Sequence, residues 1–173
     1  MSIEQGLAPL VKTVVVPTTP ERAFRLFTEE LGKWWPLATH SVRGEQATDV
    51  RLEGAVGGQI IEYDASGPVG SWGTVSDWDP PHTVSFSWHP GSDPKQAGHV
   101  TIRFTATGDS DMGAGGNGDT GSRDSGESRR DSGSTLVELT HTGWERVPDG
   151  ARMRANYNTG WAFVLRQFEQ FQP

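Results

Sequence analysis

The chain has 173 residues, a length that suits one domain with a substantial core and is short for two. Its formal net charge of −7 argues against nucleic acid and anionic lipid surfaces as partners, because both are bound through clustered Lys and Arg. The absence of cysteine excludes disulfides, thiolate nucleophiles and Cys-ligated metal sites. No apolar run is long enough to span a membrane, so we expect a cytoplasmic protein without membrane insertion.

The first elements are a strand and a pair of short helices. Residues 10–16 are rich in β-branched side chains and predict a strand that ends at a proline. Residues 18–21, Thr-Thr-Pro-Glu, offer two helix starts: a capping box, or a threonine cap followed by proline at the first helical position. We expect Gly32 to end this helix, and residues 33–36 to form a turn or a second short helix.

A β-hairpin occupies the centre of the chain, after a further β-type segment at residues 46–63. Two β-type runs, 69–78 and 83–88, flank Asp-Pro-Pro-His at 79–82. These residues form a turn that cannot continue either strand, because proline lacks the backbone N–H that a sheet requires. Apolar residues alternate with serine in the second run, which predicts one buried face. The inward residues are Val84, Phe86 and Trp88.

Two more strands, at residues 100–105 and 136–141, are separated by a long polar segment. Eight of the 26 residues from 108 to 133 are glycine, and the rest are almost all polar or charged. Such a segment cannot bury enough apolar surface to offset the entropy lost on ordering. We therefore predict a disordered insertion, 108–133, between the last two strands.

The chain closes with a helix, predicted from the Pro-Asp-Gly sequence at 148–150 to Phe171. Its apolar residues recur every three or four positions, which indicates an amphipathic helix packed on the sheet. These residues are Met153, Tyr157, Trp161, Val164, Phe168 and Phe171. We expect Gly160 to permit a close approach of this helix to the sheet.

Several segments, in this order, resemble the family related to the C-terminal domain of the activator of Hsp90 ATPase. That family belongs to the START-like, helix-grip (SRPBCC) superfamily. The resemblance covers most of the chain outside the insertion. The similar segments are Val-Pro-Thr-Thr-Pro-Glu-Arg-Ala-Phe at 16–24, Trp-Trp at 34–35, Val-Gly-Gly at 56–58, the hairpin motifs between 73 and 88, the segment 135–144, and Gly-Trp at 160–161.

The resemblance implies an α+β helix-grip fold with a ligand-sized cavity. Its features would be a curved antiparallel sheet of six to seven strands wrapped around the long C-terminal helix, and two short helices after strand 1. The domain would be a single START-like unit spanning 8–172. The family pattern is dominated by glycine, proline and aromatic positions, so it transfers no catalytic residue to this chain.

Five aromatic residues are candidates for ligand binding. Trp34 and Trp35 follow the first helix, where helix-grip cavities have one mouth, and they form either an aromatic wall for an apolar guest or a plug that closes the core. Trp88, Tyr157 and Trp161 are predicted on the inner faces of the sheet and the terminal helix. They either line a pocket, with the Tyr157 hydroxyl facing the guest, or simply pack the core.

His141 is the sixth candidate. By strand alternation it shares a face with Val137 and Leu139, which predicts that it points into the domain. It either fixes a ligand or donates a proton, or it is a strand-end histidine with a structural hydrogen bond. The five histidines show no HxH or HExxH spacing, so we expect no metal site and no cofactor.

These observations favour a non-catalytic binding module that holds a small apolar or amphipathic ligand between the sheet and the terminal helix. One alternative is a cyclase- or hydrolase-like enzyme that uses the same cavity, with His141 or Tyr157 as acid or base. The other is a co-chaperone that stimulates the ATPase of Hsp90, with the chaperone as protein partner. Against this alternative, we expect a single domain without the additional N-terminal domain of the full activators.

Overall fold

The computed structural model describes residues 8–107 and 133–172. Its seven strands form one antiparallel sheet with the order β1-β7-β6-β5-β4-β3-β2, curled into a half-barrel. The sheet therefore has β1 and β2 at its edges. The strands are β1 Leu10–Val16, β2 Ala47–Leu52, β3 Gln59–Asp64, β4 Gly67–Asp79, β5 Thr83–Trp88, β6 Gly98–Ala106 and β7 Thr135–Thr142.

The described residues contain three α-helices beside the sheet: α1 Pro20–Thr28, α2 Leu31–Trp34 and α3 Gly150–Gln170. The start of α1 follows the second predicted route, since the Thr19 hydroxyl accepts a hydrogen bond from the Arg22 N–H at 3.2 Å. The expectation that Gly32 ends the first helix is wrong, because α1 ends at Thr28 and Gly32 lies inside α2. The helix-grip fold, with two short helices after strand 1, is confirmed.

The central hairpin lies where the alternating pattern places it. Val84, Phe86 and Trp88 of β5 are all buried. The turn between β4 and β5 contains a cis peptide bond between Pro80 and Pro81 and is closed by the His82 N–H, which donates to the Asp79 carbonyl at 2.8 Å. The prolines therefore end both strands without interrupting the sheet.

Strands β6 and β7 pair directly, so the chain between them returns to the neighbouring strand. The Thr107 N–H donates to the Ser134 carbonyl at 3.1 Å and extends this pairing by one step. The predicted insertion, 108–133, lies outside the described residues apart from residue 133. The prediction of disorder there stays a prediction.

The terminal helix α3 covers the inner face of the sheet with the predicted apolar stripe. Trp161, Val164 and Phe168 are buried on it, and the Phe168 ring meets that of Phe27 from α1 at 5.2 Å. At the other end, the Arg154 guanidinium donates to the carbonyls of residues 8 and 9, at 2.7 and 2.9 Å. The helix is thus fixed to the core and to the start of β1.

Candidate functional site

A cavity of about 440 Å³ lies between the sheet, α3 and the loop that joins α2 to β2. Its volume falls within the range of about 300–1,000 Å³ that small-molecule sites occupy. Apolar side chains supply most of its wall, and exposed Asn156, Thr39 and Gly91 border its mouth. Four tryptophans line the cavity: Trp35, Trp72, Trp88 and Trp161.

The four indoles form one continuous aromatic cluster. Trp35 is central, with ring centroids 5.2 Å from Trp72 and 6.0 Å from both Trp88 and Trp161. Trp88 and Trp161 are 5.1 Å apart. All four side chains are at least nine-tenths buried, so their positions are fixed by packing. The cluster therefore presents a rigid aromatic surface to any molecule in the cavity.

Tyr157, on α3, provides a hydroxyl group at this aromatic surface. The Trp88 indole N–H donates to the Tyr157 oxygen at 3.1 Å. Since the hydroxyl accepts this bond, its own proton is left to donate to a guest. Burial raises the pKa of Tyr157, and the hydrogen bond from Trp88 opposes this rise. The residue is therefore a neutral hydrogen-bond donor, not a phenolate.

The loop after α2 supplies the polar rim of the cavity. The His40 ring stacks on Phe163 of α3, with centroids 5.0 Å apart, and its Nδ1 lies 2.7 Å from the Thr39 hydroxyl. Burial lowers the pKa of His40, which keeps the imidazole neutral near pH 7. Among the described residues that line the cavity, none carries a formal charge at that pH. The cavity thus matches an uncharged guest.

Glu62 on β3 holds this loop in place and was missed by the sequence prediction. Its fully buried carboxylate accepts hydrogen bonds from the backbone N–H groups of Val42 and Arg43, at 2.9 and 2.7 Å. It also accepts one from the Trp72 indole at 2.8 Å. Strand alternation places Glu62 on the same face as buried Ile60. An acidic residue at such an inward position is the sequence feature that could have identified Glu62.

His141 points into the domain as predicted, but it does not line the main cavity. Its Nδ1 accepts a hydrogen bond from the Trp161 indole at 3.0 Å, and its ring lies 4.0 Å from that of Trp144. Burial, with a smaller contribution from His99, lowers the pKa of His141 to about 3. The ring borders a second, smaller cavity on the far side of Trp88 and Tyr157.

Trp34 lies behind the cavity wall. Its ring packs 5.0 Å from Phe27 and 4.9 Å from Phe168, and its indole donates to the Leu26 carbonyl at 3.1 Å. Trp35 faces the cavity and donates to the His40 carbonyl at 2.7 Å. Of the tryptophan pair, therefore, Trp34 packs in the core and Trp35 lines the cavity.

The expectation that Gly160 permits a close approach of α3 to the sheet is wrong. Among the described residues outside its own helix, a Cβ atom built on Gly160 would meet only His40 Nε2, at 3.9 Å, and no atom of the sheet. Gly160 lines the cavity, so the missing side chain leaves space for a guest and does not serve close packing. Trp72 is a further wall residue that the sequence prediction omitted, although it occupies an inward position of β4.

No group of three or more His, Cys, Asp or Glu side chains within residues 8–107 and 133–172 could hold a metal ion. In the same ranges, no helix is long and apolar enough to cross a membrane.

The half-barrel sheet, the long helix across it and the cavity between them define a helix-grip protein of the START-like class. The family model described as "Activator of Hsp90 ATPase homolog 1-like protein" matches residues 17–112, more than half of the chain, and the protein belongs to that family. No curated protein matches the sequence.

Solved structures with the same fold cover most of the chain. An anthrahydroquino-gamma-pyrone synthase, Txn09, solved as a complex, is 27% identical, with a TM-score of 0.52, over 85% of this chain and 84% of its own. The Aha1 dimer from Colwellia psychrerythraea is 18% identical, with a TM-score of 0.59, over 94% and 93%. Protein MLL2253 from Mesorhizobium loti is 18% identical, with a TM-score of 0.58, over 94% and 95%.

Proposed function

We propose that the protein binds a flat, uncharged aromatic molecule that carries a carbonyl oxygen. The observation that carries this proposal is the cavity of about 440 Å³ walled by four indoles, with the Tyr157 hydroxyl as an available donor. Planar rings gain from stacking on indole faces, and a carbonyl satisfies the buried hydroxyl. A fatty acid fits less well, because no cation among the lining residues described here would pair with its carboxylate.

Similarity to the synthase supports this ligand class. The synthase is named for an anthrahydroquino-gamma-pyrone, and its 27% sequence identity to this chain is higher than the 18% of the other two neighbours. The ligand proposed here is therefore of the aromatic polyketide type. The cavity is the predicted binding site, with Trp35, Trp88, Tyr157 and Trp161 as the contacting residues.

The test is a titration of the purified protein with 1,8-dihydroxyanthraquinone and with laurate, followed by the seven indole N–H signals in NMR spectra. We expect saturable shifts of Trp35, Trp72, Trp88 and Trp161 with the anthraquinone and much smaller shifts with laurate. Tighter binding of laurate, or no binding of either compound, would contradict the proposal.

Tyr157→Phe removes the hydroxyl and leaves the ring. We expect the anthraquinone to bind about threefold to tenfold more weakly, the effect of one lost hydrogen bond. Tyr63→Phe is the matched control, because Tyr63 is the other tyrosine and lies on β3 away from the cavity lining. Equal losses in the two variants would remove the role assigned to Tyr157.

An enzymatic function in the same cavity is the second candidate, and the synthase neighbour favours it. In that case Tyr157 would donate its proton to a substrate carbonyl oxygen as charge develops there. Turnover of a poly-β-carbonyl substrate by the wild-type protein, abolished in Tyr157→Phe while anthraquinone binding persists, would establish catalysis. The absence of turnover would leave a binding module.

Stimulation of Hsp90 is the third candidate, and family membership is its support. An ATPase assay of the cognate Hsp90 with saturating amounts of this protein tests it. An unchanged ATPase rate would exclude this role.

A further inference from the structure

A small chamber, of about 240 Å³, adjoins the main cavity across the Trp88–Tyr157 pair. These two residues line both cavities, so their hydrogen bond lies in the shared wall. Exposed Ser92, Gln96 and Pro148 border the small chamber, which therefore reaches the protein surface. A cavity of roughly 150 Å³ already holds a benzene ring, so this volume accommodates a substituted ring.

His141 enters the small chamber with its ring orientation fixed. Because Trp161 donates to Nδ1, the single proton of the neutral ring resides on Nε2. Stacking on Trp144 fixes the plane of the ring, and the Trp144 indole donates to the His141 carbonyl at 3.0 Å. In the described part of the chain no hydrogen bond engages Nε2, so an oriented N–H donor is left free.

Gly98 on β6 keeps the Nε2 edge of His141 unobstructed. A Cβ atom at this position would lie 2.7 Å from Nε2, closer than side-chain atoms normally approach. The two residues occupy neighbouring strands, since His141 pairs with Val100 and Thr142 with His99. The glycine therefore makes room for the edge of the ring that carries Nε2.

His89 is a second buried imidazole at the small chamber, with 7% of its surface exposed. Its Nδ1 has no hydrogen-bond partner among the described residues. Leaving a buried polar atom unpaired costs free energy, so such atoms usually mark an absent partner. Two imidazoles with unpaired nitrogens thus border one largely aromatic chamber.

We propose that the small chamber is a second binding site, one that takes a neutral aromatic carbonyl compound through a hydrogen bond from His141 Nε2–H. This inference goes beyond the proposed function, because it concerns a different cavity with its own donor. A neutral guest is favoured because none of the described residues that line the chamber is a Lys, Arg, Asp or Glu. Trp88, Trp144 and Tyr157 supply the aromatic contacts.

The test compares acetophenone with ethylbenzene, which has a similar shape and no hydrogen-bond acceptor. Of these two cavities, Trp144 lines only the small chamber, whereas Trp35 and Trp72 line only the main cavity, so their indole signals report the two sites separately. We expect acetophenone to shift Trp144 and the His141 Nε2–H signal saturably and to bind about threefold to tenfold more tightly than ethylbenzene. Equal affinities, or shifts confined to Trp35 and Trp72, would overturn the proposal.

Two variants of His141 separate donation from structure. The amide of His141→Gln reaches the position of Nε2 and can donate, whereas the amide of His141→Asn reaches the position of Nδ1 and can accept from Trp161. We expect the preference for acetophenone to persist in His141→Gln and to disappear in His141→Asn. The same preference in both variants would show that His141 acts only through packing.

Discussion

At the scale of single residues, Glu62 holds two parts of the cavity wall together, the loop after α2 and Trp72. Glu62→Gln replaces a carboxylate oxygen with an NH₂ group, which sets a donor against the N–H groups of Val42, Arg43 or Trp72. Because these bonds are buried, we expect the free energy of unfolding to fall by about 2–3 kcal/mol. Urea denaturation measures this loss, and the Trp72 indole signal should shift at the same time.

Glu53→Gln is the control for Glu62→Gln. The Glu53 carboxylate also accepts a backbone hydrogen bond, from Gln59 at 2.9 Å, but at the surface. We expect the free energy of unfolding of Glu53→Gln to fall by no more than about 0.5 kcal/mol. Similar losses in the two variants would mean that Glu62 has no special role. If anthraquinone affinity were unchanged in Glu62→Gln, the loop would not depend on the carboxylate for its position.

At the scale of elements, α3 forms a wall of the cavity through Gly160. A leucine there would extend into the open space, because among the described residues outside its own helix only His40 Nε2 lies within 4 Å of the Cβ position. We expect Gly160→Leu to weaken anthraquinone binding by at least about tenfold, since the leucine fills part of the cavity. Thermal stability should be kept or raised, because glycine disfavours the helix by about 1 kcal/mol. Calorimetric titration and thermal denaturation measure the two effects.

Ala162→Leu places a leucine on the exposed face of α3 and controls for the effect of a larger apolar side chain on this helix outside the cavity. It should leave the affinity for the anthraquinone unchanged. Wild-type affinity in Gly160→Leu would mean that guests do not occupy the part of the cavity beside α3.

The elements themselves could be predicted from the sequence, because their periodicity is a local property. Alternation identified the buried face of β5, and three- and four-residue spacing identified the face of α3. The cavity wall could not be predicted in the same way. The position of the loop after α2 depends on Glu62, which is about twenty residues away in sequence. A cavity is also a space between elements, and no local sequence pattern records it. Hence Trp34 and Trp35 could be predicted as a pair but not assigned separately to core and wall.

At the scale of the whole molecule, the buried His141 links stability to pH. Its pKa is about 3 in the folded protein, below the ordinary value of 6.5, so between these values the unfolded chain binds more protons than the folded one. Stability is therefore complete above about pH 6.5 and decreases as the pH falls toward 3. Burial also lowers the pKa values of His40 and His99, which adds to the loss on acidification.

His141→Asn isolates the contribution of this imidazole, because asparagine does not titrate. Between about pH 7.5 and pH 5 we expect the wild-type protein to lose about 2 kcal/mol more of its unfolding free energy than the variant, at 1.36 kcal/mol per pH unit below 6.5. Urea denaturation at the two pH values measures both losses. Parallel losses in the two proteins would mean that His141 gains its proton without unfolding, and that the small chamber admits water to the ring in the native state.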